Sequence, residues 1–242
     1  MTRWPGGASS WSREAAMNTV RQVRPQVGLR PLRAIAVWIA VELAVRLVLF
    51  VAVGIGLMEL GWIPRTAALP PEIFTLQMVM TGLALVILGW FFGRRLAGYP
   101  LGYRWDRPAV LAGILGGVLL VPLLSFGTHH LDQTLTGKLE PEQRATVVAW
   151  VLQIVANGVL APVVEEFFWR GYIQGELGFV KTALFFAAKH VVVDFSLARP
   201  TTLLTGSFAL GWLRLRWGTA ASTIAHLILN LTASIMTPRL PG

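Results

Sequence analysis

Cysteine is absent from the 242 residues, which removes disulfides and thiolate metal sites and leaves redox chemistry silent about the compartment. Charge is scarce as well: 14% of the residues are charged, only 12 are acidic, and 55% are hydrophobic. Mean hydropathy is +0.61, outside the balance of a water-soluble domain. There is no glycine-rich phosphate loop, no Gly-x-Ser-x-Gly turn and no His-Glu-x-x-His run, so the motif-borne chemistries of nucleotide binding, serine elbows and zincins have no foothold. Tandem repeats are also missing. That counts against a proton-coupled transporter, which ordinarily pairs broken helices across two halves.

What the chain has is long apolar runs. Runs at about 34–57, 73–93, 108–126, 146–168, 179–197 and 218–237 approach or exceed the roughly 20 residues of a spanning helix, and a shorter one at about 201–213 makes a seventh. The expected fold is therefore all-α, a polytopic transmembrane bundle of about seven helices. Residues 1–33 are polar, Arg-rich and broken by Pro and Gly, and read as a flexible basic cytoplasmic arm before a single transmembrane domain over 34–242. The apolar run after the arm is too long for a cleavable signal peptide, so the first helix is expected to be retained, with Met1 or Met17 as the start.

The net charge of +9 has a topological reading. With the N-terminus cytoplasmic, inner segments carry fourteen basic residues, from Arg3 to Arg33, Arg94 to Arg107, Arg170 with Lys181, and Arg214 with Arg216. Outer segments carry five, at Arg65, Lys138, Arg144, Arg199 and Arg239. This asymmetry follows the positive-inside rule. It leaves no basic patch with interleaved aromatics for nucleic acid.

Charges inside the apolar runs are functional candidates by default. The stretch "APVVEEFFWRG" (161–171) holds three. On a helix Glu165 and Glu166 project about 100° apart, and Glu166 stands four residues before Arg170 in the favourable order for an ion pair. Glu166 with Arg170 is thus expected to be structural. Glu165, without a local cation, is the candidate general base. Pro162 is placed to kink that helix and free backbone groups. His190, and His226 with Asn230 one turn later, fall at comparable depth in two other helices, in the half of the membrane nearer the cytoplasm.

Other polar residues have plainer readings. Glu42 and Arg46 suit an intrahelical pair. His129, His130 and Asp132 read as a surface loop rather than a metal site. Trp169 and Tyr172 read as interfacial belt residues. Lys189 is expected to snorkel, to bind a substrate carboxylate or to pair with an acid on a neighbouring helix, and Asp194 to orient His190 or to cap a helix end.

In order, "EEFFWRG", "FAAKH" (186–190) and "HLILN" (226–230) resemble the Glu-Glu-x-x-x-Arg, Phe-x-x-x-His and His-x-x-x-Asn motifs of the CPBP (Abi) family, which includes the type II CAAX prenyl endopeptidases. The resemblance spans about 146–237. It implies an intramembrane endopeptidase in a multi-pass protein of the bacterial plasma membrane, acting on a membrane-associated or lipid-modified peptide. Glu165 and His190 would activate water, His226 and Asn230 would stabilise the oxyanion, and Glu166 with Arg170 would support the scaffold, with no cofactor. A zinc version, with Glu165, His190 and His226 as ligands, is the alternative mechanism. A non-catalytic immunity, regulatory or partner-binding protein that keeps the motifs is the alternative function.

Overall fold

The computed structural model describes residues 30–48, 55–61, 71–128, 131, 134, 146–194 and 200–236. The described residues form seven helices and contain no strand. They are α1 (Pro31–Leu47), α2 (Pro71–Arg95), α3 (Arg107–Pro122), α4 (Val147–Leu177), α5 (Phe179–Asp194), α6 (Pro200–Trp217) and α7 (Thr219–Met236), with one further turn at Gly56–Glu59. The segments Thr75–Arg95, Arg107–Ser125, Val147–Leu177 and Thr219–Met236 are long and apolar enough to cross a membrane. The arm over 1–29 and the loop with His129, His130 and Asp132 lie outside the described residues.

Local chemistry sets several of the helix ends. Asp106 caps α3 by accepting from the Ala109 N–H at 3.0 Å, and Pro108 occupies the first turn, where its missing N–H costs nothing. Thr146 caps α4 through the Ala149 N–H at 3.1 Å. Gly178 and Gly218 end α4 and α6 with φ of 83° and 89°, conformations that only glycine adopts readily. A side chain at Gly218 would also meet the Gly102 carbonyl at 2.7 Å.

Helix α4 is the long axis of the bundle at 31 residues, well beyond the expected 146–168. It is not uniform: α-helical turns at Val147–Gln153, Ala161–Glu165 and Gln174–Leu177 alternate with wider π turns at Ile154–Leu160 and Glu166–Ile173. The first π stretch runs directly into Pro162, which has no N–H to donate and whose ring crowds the carbonyl four residues back. At the expected kink the structure shows this change of helix type.

One end of the bundle is tied by polar contacts. The Thr219 N–H donates to the Gly102 carbonyl at 2.9 Å, and the Tyr99 hydroxyl donates to Glu176 at 2.6 Å. The α2–α3 link and the turns at Gly178 and Gly218 therefore share one end. Above it, Trp38 of α1 stacks on Phe168 of α4 with ring centroids 4.4 Å apart, and Phe168 contacts Phe92 of α2 at 4.3 Å. On the other flank α3 lies against α7 through small residues, as expected of its glycines: a Cβ at Gly113 would stand 2.8 Å from the Ala221 carbonyl, and one at Gly117 2.8 Å from Ile228.

Two sequence expectations are corrected. Trp169 and Tyr172 are not interfacial belt residues: both are buried, Trp169 against Trp38 and Phe186, and Tyr172 against Tyr99. Arg170 does not mark a membrane boundary either. It is 0% exposed, and α4 continues past it to Leu177, so it lies inside the helix and not in an inner connecting segment.

Candidate active site

Adjacent positions on α4 send the two carboxylates into different surroundings. Glu166 and Arg170, both fully buried, pair at 3.7 Å between Oε2 and Nε, the expected four-residue contact. Arg170 also donates through Nη2 to the Ser207 hydroxyl at 3.2 Å and carbonyl at 3.3 Å on α6. Its guanidinium lies 4.4 Å from the ring centre of Phe186 on α5. The remaining Glu166 oxygen, Oε1, faces His226 Nδ1 at 3.0 Å. His226 therefore lies against Glu166, and its Nδ1–H donates to the carboxylate.

Glu165 turns toward α5 and, contrary to the expectation of a carboxylate without a cation, meets one there. Its Oε1 is 2.7 Å from Lys189 Nζ and 3.9 Å from His190 Nε2. Lys189, 3% exposed, also reaches Glu42 Oε1 of α1 at 3.4 Å. Of the three expectations for Lys189, the pair with a neighbouring helix's acid is the one found. Glu42 extends to Lys189 across the bundle as well as standing four residues before Arg46 on its own helix.

His190 Nδ1 lies 3.0 Å from the Phe186 carbonyl. A carbonyl only accepts, so Nδ1 carries the hydrogen, and a neutral ring then presents the Nε2 lone pair toward Glu165. The 3.9 Å between Nε2 and Oε1 is too long for a hydrogen bond. It suits two acceptors that both reach one water. Phe186 joins the two halves: its ring contacts His190 at 4.6 Å and His226 at 6.4 Å, besides Arg170.

Asn230, one turn after His226, uses Nδ2 to donate to the Asn157 carbonyl of α4 at 2.9 Å. That carbonyl lies in the π stretch before Pro162, where the regular ladder is disturbed. One amide hydrogen of Asn230 is thereby committed and a second is left for another acceptor. The side chain of Asp194 lies outside the described residues.

The residues suit zinc poorly. Among the described residues no group of three His, Cys, Asp or Glu side chains is gathered as a ligand set. Glu165 already faces an ammonium at 2.7 Å, and His226 is turned to Glu166, whereas a catalytic zinc takes three convergent ligands and an open position.

Sequence reasoning missed Glu42 and Ser207 as members of the cluster. Glu42 carried a usable signal, a carboxylate inside an apolar run. Ser207 carried none, because a serine in a membrane helix satisfies itself equally well on its own backbone.

Seven packed helices around a buried carboxylate and histidine cluster define a polytopic integral membrane protein with a polar site inside the bundle. Residues 147–232 match the family described as "Type II CAAX prenyl endopeptidase Rce1-like", which supports the resemblance to CAAX-type proteases over that segment. No curated protein and no solved structure matches the chain.

Proposed function

We propose that the protein hydrolyses a peptide bond in a membrane-associated or lipid-modified protein, using water activated between Glu165 and His190. The observation that carries this is the approach of Glu165 Oε1 and His190 Nε2, two acceptors from different helices 3.9 Å apart in a buried site. In the proposed reaction a water held by both gives its proton to Glu165 while its oxygen adds to the substrate carbonyl. The tetrahedral oxyanion is met by donors from His226 and Asn230. The proton then passes from Glu165 to the amide nitrogen as the C–N bond breaks, leaving a new carboxyl terminus and an amine.

The oxyanion role places a condition on His226. With Nδ1–H committed to Glu166, a neutral ring has only a lone pair on Nε2. Donation from Nε2 requires the imidazolium, whose charge the Glu166 carboxylate balances. Glu166 is then both scaffold and counterion. The proposed orientation keeps the N-terminus and the tied end of the bundle cytoplasmic, following the excess of Arg there.

One observation favours a second reading. The nearest partner of Glu165 is Lys189, not His190, as a structural ion pair in a non-catalytic partner-binding protein would have it. The two readings part on a single variant. Purified wild-type protein and Glu165→Gln are compared on native membrane extracts by mapping new peptide termini. The expected result is loss of cleavage by about 10²–10⁴-fold with the fold retained, and Glu165→Gln holding uncleaved substrate. Undiminished cleavage by Glu165→Gln discards the hydrolytic reading.

A further inference from the structure

The family match covers residues 147–232, yet the ion cluster around Glu165 extends outside it. Lys189 stands between two carboxylates from different helices, Glu165 at 2.7 Å and Glu42 at 3.4 Å. All three side chains are almost completely buried. Glu42 belongs to α1, and 147 residues separate it from Lys189.

We propose that Lys189 and Glu42 act together as positioning residues for Glu165, so that α1 completes the active site from outside the family-matched segment. The proposal rests on the reading of Glu165 as the base. Lys189 directly precedes His190 on α5, and both side chains converge on the same oxygen, Glu165 Oε1. The ammonium holds that carboxylate in the rotamer that faces the imidazole.

An ammonium serving Glu165 alone would hold its charge tightly and make it a poor proton acceptor. Glu42, on the other side of the nitrogen, draws part of that interaction to itself and leaves Glu165 placed yet able to accept a proton. Three charges with one cation at the centre also satisfy the rule that a buried charge must be paired. A purely structural Lys–Glu pair needs only one of the two acids. The second acid, on another helix, is what the positioning role explains.

The test uses the full chain in detergent or liposomes and a fluorogenic farnesylated peptide with a CAAX end as the probe. Lys189→Met is expected to lower kcat by about 100-fold and Glu42→Gln by roughly tenfold, with KM changed less than about twofold in both, the pattern of a misplaced catalytic group. Lys189→Arg recovers part of the loss.

The double variant Glu42→Gln/Lys189→Met removes the pair without stranding a charge on α1. It stays as slow as Lys189→Met if Lys189 works through Glu165. It returns to wild-type kcat if the pair is only structural, which overturns the proposal, as does wild-type kcat for Glu42→Gln.

Independently of any substrate, dicyclohexylcarbodiimide labels protonated buried carboxyls. Glu165 is expected to resist labelling in the wild type and to react in Lys189→Met, as read by peptide mass spectrometry; equal labelling overturns the proposal. Activity in Glu165→Gln, by contrast, removes the base assignment and leaves the labelling result standing.

Discussion

Arg170→Met tests how the scaffold tolerates its buried charges. Arg170 has no exposed surface and spends its guanidinium on Glu166, Ser207 and the face of Phe186. Its removal leaves Glu166, equally buried, with the His226 imidazole as the one remaining ring or charged partner among the contacts described. Breaking a buried ion pair from one side costs about 3–5 kcal/mol, because the orphaned charge keeps its desolvation penalty and loses its compensation. For a chain of this size each kcal/mol moves the unfolding midpoint by about 2–4 °C. Thermal unfolding of Arg170→Met in detergent should therefore begin about 6–20 °C lower than wild type. The double variant Glu166→Gln/Arg170→Met removes both charges and keeps an acceptor for His226, and should recover most of that loss, since a neutral replacement of a buried pair is often close to cost-free. A midpoint for Arg170→Met within about 2 °C of wild type would refute the view that this pair carries the site's structure. So would a double variant less stable than the single.

Three further outcomes follow from the geometry. Gly117→Ala should destabilise by about 1–3 kcal/mol through overpacking, because its new Cβ meets Ile228 at 2.8 Å and the Ala225 backbone at 3.1 Å. Gly93→Ala, with nothing within 4 Å, should be neutral or slightly stabilising; denaturant unfolding of the two variants reads the contrast directly. Asp106 lies outside the spanning segments, and the Ala109 N–H, then Arg104, hold its carboxyl below its ordinary value. A lowered folded value means the cap contributes fully above the unfolded value and is lost as pH falls through the folded one. Unfolding midpoints between neutral and acid pH should fall less steeply in Asp106→Asn than in wild type. Finally, under the proposed oxyanion role, Glu166→Gln should retain the hydrogen bond to His226 but remove the counterion that this role requires, lowering kcat about 10²-fold while probe binding, read by KM, stays near wild type.

The helix inventory was legible because burial in a membrane writes itself as apolar length, and because caps and glycine stops lie where the chain turns. The pairing of Glu166 with Arg170 was legible for a local reason, four residues of spacing. Long-range geometry was not. A pair between Lys189 and an acid on a neighbouring helix could be anticipated, but nothing in the sequence says that one such acid is Glu42, 147 positions away. The misreading of Trp169 and Tyr172 has a physical cause: an aromatic beside an arginine looks interfacial only if the arginine is still charged toward water. Here Glu166 neutralises it, so the whole turn sinks into the core and α4 extends two turns further. The π stretches escaped notice as well, since Pro162 announces a disturbance of the ladder but not its form.

Consecutive glutamates on one helix are a problem in low dielectric, because two like charges so close raise each other's energy. The bundle answers by sending them into opposite networks. Glu165 enters a set with Lys189, Glu42 and His190, and Glu166 enters one with Arg170, His226 and Ser207. Each set has its own permanent cation, and the Phe186 ring contacts both cations, at 4.4 Å from Arg170 and 5.7 Å from Lys189. A ring in contact with two cations draws favourable interaction from each and sets an apolar group against both networks. In the proposed reaction, the proton-accepting side and the charge-stabilising side can then differ in character although their glutamates are neighbours in sequence. Phe186 is thereby the residue on which the separation depends: replacing it with alanine opens a path between the networks, and the loss should fall on both kcat and stability together, whereas Phe186→Leu, which refills the space without the ring face, should restore stability ahead of kcat.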